Sequence, residues 1–203
     1  MKDLDRALAD IGTIRSQLAR DVAFRGFGPA TVALTGLLAI VAASVQAAWL
    51  PTPSPSQFIV LWIGVAALSL ALIGVETVTR SRRLHSGLAN EMIAAAIEQF
   101  MPALVTGALL TAVLVRFVPQ GVSLLPGLWQ VIFALGIFAS ARSLPRATFW
   151  AGIWYLLSGL VVLAASEGGD VFSPWTMGLP FGVGQVLTAA LLHHGLGGER
   201  GQG

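Results

Sequence analysis

Residues 58–83 read FIVLWIGVAALSLALIGVETVTRSRR. From Phe58 to Val75 this stretch carries no charge and no proline, so nothing in it interrupts a helix or resists leaving water. A helix rises about 1.5 Å per residue, so the stretch to Val78 matches a hydrocarbon layer about 30 Å thick. Three cations, Arg80, Arg82 and Arg83, follow at once. Short segments rich in Lys and Arg stay on the cytoplasmic side, so this stretch reads as a membrane span that ends inside the cell.

Working outward, five further apolar stretches take the same form: Pro29–Leu50, Met101–Val118, Leu125–Ala141, Phe149–Ala165 and Pro174–His193. With six spans, Lys2, Arg6, Arg15, Arg20, Arg25, Arg80, Arg82, Arg83, Arg142, Arg146 and Arg200 fall on one side, and Arg116 alone on the other. Both termini are then cytoplasmic. The connection Pro51-Thr52-Pro53-Ser54-Pro55-Ser56 is uncharged, and the one holding Glu167 and Asp170 has no cation, so both read as external. The fourth and fifth spans are short. Trp49, Trp62, Trp129, Trp150, Trp154 and Trp175 lie near proposed span ends, where an amphipathic ring favours the headgroup region.

Composition agrees with this fold. Hydrophobic residues make up 55% of 203 and charged residues 11%, against about 25% charged in a soluble domain. The net charge of +2 is too small for a nucleic-acid surface, and the absence of cysteine removes disulfides and thiolate chemistry. Arginine-rich, Ala- and Gly-rich usage points to a bacterial inner membrane. Val45-Gln46-Ala47 has the look of a signal-cleavage site. The long N-terminal segment ahead of it, with Asp3, Asp5, Asp10 and Asp21, does not suit a signal peptide, so the first span is expected to stay.

The expected architecture is an all-α, six-transmembrane-helix bundle over residues 28–194. It is preceded by an amphipathic cytoplasmic helix in residues 1–27 and followed by a disordered tail in residues 195–203. Helices in lipid associate through close approach and polar contacts. Thr31, Thr35, Ala39, Ala43 and Ala47 form a stripe of small residues on the first span, and Ala103, Gly107 and Thr111 form a shorter one on the third. Either stripe could face another span or a second copy; contact within the chain is the simpler expectation. Gly127-Leu128-Trp129 resembles Gly152-Ile153-Trp154, which is read as two similar span starts and not as a repeat.

Candidate functional positions are few. Pro180, flanked by Gly178, Gly182 and Gly184, removes a helical donor within the sixth span and predicts a kink. Gln185 falls near mid-membrane, either as interhelical glue or as a solute-binding amide. Glu76, Glu98 and Arg142 lie at one boundary, either as separate interfacial charges or as an inner-leaflet ion-pair cluster. Leu4, Leu8, Ile11, Leu18 and Val22 form an apolar stripe among charges of nearly balanced sign. Such a helix lies on the bilayer or docks against protein. Residues 84–100 form a second interfacial helix or a cytoplasmic extension of the third span.

No metal-ligand spacing, phosphate loop, dinucleotide loop or nucleophile elbow appears, so no cofactor, metal or catalytic residue is expected. The functional expectation is a non-enzymatic membrane protein whose cytoplasmic face, residues 3–25 and 80–100, docks a cytosolic protein or sets homo-oligomeric assembly. The alternative is a small transporter or channel for a neutral or amphiphilic solute that uses the sixth span and Gln185.

Overall fold

The computed structural model describes residues 29–84, 89–140, 148–167 and 170–198. Every regular element among them is helical: α1 (Pro29–Trp49), α2 (Pro55–Leu84), α3 (Ala89–Phe117), a 3-10 segment Pro119–Leu124, α4 (Leu125–Ala139), α5 (Phe149–Ala164) and α6 (Trp175–Gly198). Pro29–Trp49, Pro55–Thr79, Pro119–Ala139 and Trp175–His193 are long and apolar enough to cross a membrane. Met101–Phe117 and Phe149–Ala164 are apolar but shorter. The fourth apolar stretch is therefore longer than the sequence suggested, because its 3-10 lead-in adds to α4.

Local chemistry sets the boundaries. At the start of α2 the Ser54 amide donates to Gln57 Oε1 at 2.9 Å, while the Gln57 amide donates to Ser54 Oγ at 3.3 Å. This reciprocal pair caps the helix, with Pro55 at its first position, where a missing N–H costs nothing. α6 begins at Trp175, one residue later than expected. There the Thr176 hydroxyl donates to Ser173 O at 2.7 Å. α3 runs without a break through Pro102, so residues 89–100 extend that helix and do not form a separate one. α2 and α3 contain 30 and 29 residues, roughly 45 Å each, and are the two longest helices described. α6 continues to Gly198, into the glycine-rich stretch expected to lie outside the helix.

The helices form a ring in chain order: α1 packs on α2, α2 on α3, α3 on α4, α4 on α5, α5 on α6, and α6 returns to α1. The α1–α6 and α4–α5 pairs are the most extensive, and α2–α3 is the weakest neighbouring pair. Two ends can be distinguished: a proline end at the connection between α1 and α2, and an arginine end where α2 finishes.

Small residues point inward and large ones outward. On α1, Thr35, Gly36, Ala39, Ala42 and Ala43 are buried, while Leu34, Leu37, Val41 and Val45 are exposed. The predicted stripe accounts for this. Ala39 and Ala43 meet α6 of the same chain, whereas Ala47, at the end of the stripe, is exposed. A Cβ built on Gly36 would lie 2.9 Å from Gln185 Cβ and 3.0 Å from Gly182 O, and one on Gly178 would collide with Ala43. The α4–α5 pair uses the same device, since a Cβ on Gly127 would lie 2.8 Å from Gly159 O, and one on Gly159 would lie 2.9 Å from Gly127 O. Gly152 also lies in this contact, where it receives the Phe138 ring from α4.

Candidate functional site

Polar side chains fasten the proline end. Trp62 Nε1 donates to Gln46 Oε1 at 2.9 Å, and Gln46 Nε2 donates to Phe172 O at 2.8 Å. The Phe58 ring packs between them, with its centroid 5.2 Å from that of Phe172 and 6.1 Å from that of Trp62. Trp129 Nε1 donates to Thr111 Oγ1 at 2.9 Å. These contacts join α1 to α2, α1 to the connection before α6, and α3 to α4. The six tryptophans near the proposed span ends do not all turn outward. Trp62 is 3% exposed, and Trp62, Trp129 and Trp154 spend their indole N–H on internal acceptors. Trp49 and Trp150 do point outward, at 82% and 64% exposure.

Pro180 is buried and its surroundings are specific. Without an N–H, it leaves Thr176 O, four residues back, lacking its helical donor. Gln130 Nε2 of α4 supplies one at 2.9 Å, and Trp154 Nε1 of α5 donates to Pro180 O at 2.9 Å. α6 continues through this point as one helix, held from two sides. Gln46 and Gln130, both fully buried, were passed over in the sequence reading. The available signal was a lone amide in an apolar run, the same feature that drew attention to Gln185.

Inside the ring, toward the arginine end from Trp62 and Trp129, lies a cavity of about 330 Å³ lined by all six helices. This is within the range of small-molecule sites, about 300–1,000 Å³, and above the engineered 150 Å³ cavity that binds benzene. Phe133 and Phe181 form one wall. Tyr155 packs behind them, edge-on to Phe133 at a centroid separation of 4.7 Å and tilted against Phe181 at 5.2 Å. Among the described residues, no charged side chain lines the cavity. Thr35, Thr111 and Thr188 face it, but each donates its hydroxyl proton to its own helix, to Val32 O, Gly107 O and Gly184 O. Among the described residues, Ser69 and Gln185 also line it and have no hydrogen-bond partner. The lining is thus apolar with two neutral polar groups to spare.

Of the positions singled out from sequence, Gln185 is half-buried on the cavity wall and Gly182 is buried against Ile40. Glu76 is half-buried and Glu98 exposed, while Arg142 lies outside the described residues, as do Leu4, Leu8, Ile11, Leu18 and Val22. Among the described residues no group of three His, Asp or Glu side chains is gathered in one place.

Tyr155 offers a local test. It is fully buried and its hydroxyl has no partner, a loss of about 1–3 kcal/mol for such a group. Tyr155→Phe keeps the ring contacts and is expected to leave thermal stability unchanged or raise it; a clear fall in Tm would mean that the hydroxyl is satisfied. Comparison with protein-family models, with curated protein sequences and with solved structures finds no match for this chain.

Proposed function

We propose that the chain is a six-span protein of the bacterial inner membrane, with its arginine end cytoplasmic, that holds a small uncharged molecule in its core as a binding protein or carrier. It is not read as an enzyme. The observation that carries this reading is the apolar cavity lined by all six helices. The embedding is supported by the perimeter, where residues such as Leu37, Val60, Leu109, Leu157 and Val161 stand exposed on several helices around the ring. So large an apolar surface is not sustained in water, and hydrocarbon is its natural solvent. Of the two functional expectations from sequence, the cavity supports the one nearer to the transporter or channel for a neutral or amphiphilic solute. Docking through residues 3–25 continues to rest on the apolar stripe alone.

Two experiments test the proposal. Reporter fusions after Ser54 and Glu167 are expected to be active outside, and fusions after His85, Ser143 and Gly198 inside; an external C-terminus would exclude the six-span arrangement. For the core, Gly107 lines the cavity and a Cβ there would meet nothing within 4 Å. Gly107→Phe should therefore project a ring into the cavity and obstruct it. It is expected to insert and melt like the wild type while interior labelling by a small apolar photolabel falls at least tenfold, roughly 1.4 kcal/mol of lost binding. Undiminished interior labelling would refute core binding.

A further inference from the structure

We propose that the cavity is filled sideways from the bilayer, between α2 and α3, by a neutral lipid: one long apolar chain carrying a single uncharged hydroxyl or carbonyl group. This rests on the core-binding function proposed above and names its ligand and its route.

The route follows from which lining residues are exposed. Those that line the cavity and also reach the outer surface are Ala66 and Leu70 on α2 and Leu104 and Ala108 on α3. The described lining residues of the other four helices are buried or half-buried. Among the described residues α2 and α3 are also the most weakly packed neighbours in the ring, and a Cβ on Gly107, which lines the cavity, would meet nothing within 4 Å. The mouth is therefore built from small and flexible side chains with room between them. The proline end offers no such path, because Gln46, Trp62 and Phe172 are bonded across it. A mouth on the apolar flank admits what is dissolved in the hydrocarbon, and a polar solute would lose its hydration on the way in.

The ligand class follows from the polar groups. Among the described residues no charge faces the cavity, so an ionised headgroup would meet no counter-ion from them there. Ser69 on α2 and Gln185 on α6 are free to bond. Gln185 lies ten residues beyond Trp175, roughly 15 Å along α6, at mid-depth. A pure hydrocarbon would leave that amide unpaired, and a phospholipid keeps its polar groups at the interface. A neutral lipid with one hydroxyl or carbonyl satisfies both the amide and the apolar walls.

The test uses the full chain in phosphatidylcholine vesicles with three photoreactive probes. These are hexadecanol with a mid-chain diazirine, phosphatidylcholine bearing the same group on one acyl chain, and a small free apolar diazirine. Adducts are mapped by mass spectrometry. The alcohol is expected to mark interior positions such as Ile132 and Phe181, and phosphatidylcholine only outward positions such as Leu157 and Val161. Gln185→Leu should lower interior marking by the alcohol about 3- to 10-fold, and Ser69→Ala about 3-fold, with outward marking unchanged. Equal interior marking by phosphatidylcholine overturns the ligand class, as does indifference to both substitutions. Interior marking by the free diazirine but not by the alcohol overturns this inference and leaves core binding standing. If none of the three marks the interior, both fall.

Discussion

Gly127→Leu is expected to destroy the bundle's stability, with loss of about 3 kcal/mol or more, while Gly107→Leu leaves it intact. The two glycines are on adjacent helices and face opposite conditions. A Cβ on Gly127 would lie 2.6 Å from Leu163 Cγ, 2.8 Å from Gly159 O and 3.0 Å from Leu163 N. Two of those atoms are backbone, so relief requires α4 and α5 to separate along one of the two most extensive helix pairs. Gly107 has open space in the same test. Thermal melting in detergent, followed by near-UV signal or by aggregation, reads the contrast directly. A Gly127→Leu variant that melts like the wild type would mean that the α4–α5 contact is not as close as described.

The second large effect concerns how the interior accommodates Pro180. Gln130→Leu removes the donor that serves Thr176 O and is expected to cost about 1–3 kcal/mol, because the carbonyl is left buried and unpaired. The loss is moderated because Gln130 Oε1 is itself buried without a partner. The sharper expectation is conditional. In a Pro180→Ala background the restored N–H can bond Thr176 O within the helix, so Gln130→Leu should cost little there. A double-mutant cycle is expected to show a coupling of about 1 kcal/mol or more between positions 130 and 180. Strict additivity would mean that Gln130 does not compensate for the proline.

The helices were legible because each apolar run is bounded by proline, arginine or a change in polarity. Close approach by α1 was legible too, since Ala39 and Ala43 announce it by size, but its partner, α6, was not. The cavity was not. Ala103, Gly107 and Thr111 form the same small-residue pattern as the stripe on α1, yet one stripe closes on a helix and the other borders a void. Small side chains permit both outcomes, and only the residues opposite decide between them.

Gln46 and Gln130 escaped notice for a different reason. Counting along the chain puts them near helix ends, where an amide meets water at no cost. Phe172 folds over one end and Thr176 meets the other, so burial there is set by a connection far away in sequence. The inward turn of Trp62 was hidden too, since distance from a helix end says nothing about rotation toward the core.

The most direct test of core binding is to weigh what the protein carries. Wild-type protein and Gly107→Phe would be extracted from native membranes in mild detergent and released into a mass spectrometer as intact chains. The expected result is a wild-type population bearing an uncharged adduct in roughly stoichiometric amount, with the adduct reduced at least tenfold in the filled variant at equal yield. Wild-type and filled protein carrying the same species in the same proportion, or both emerging bare from a membrane that contains neutral lipids, would contradict it.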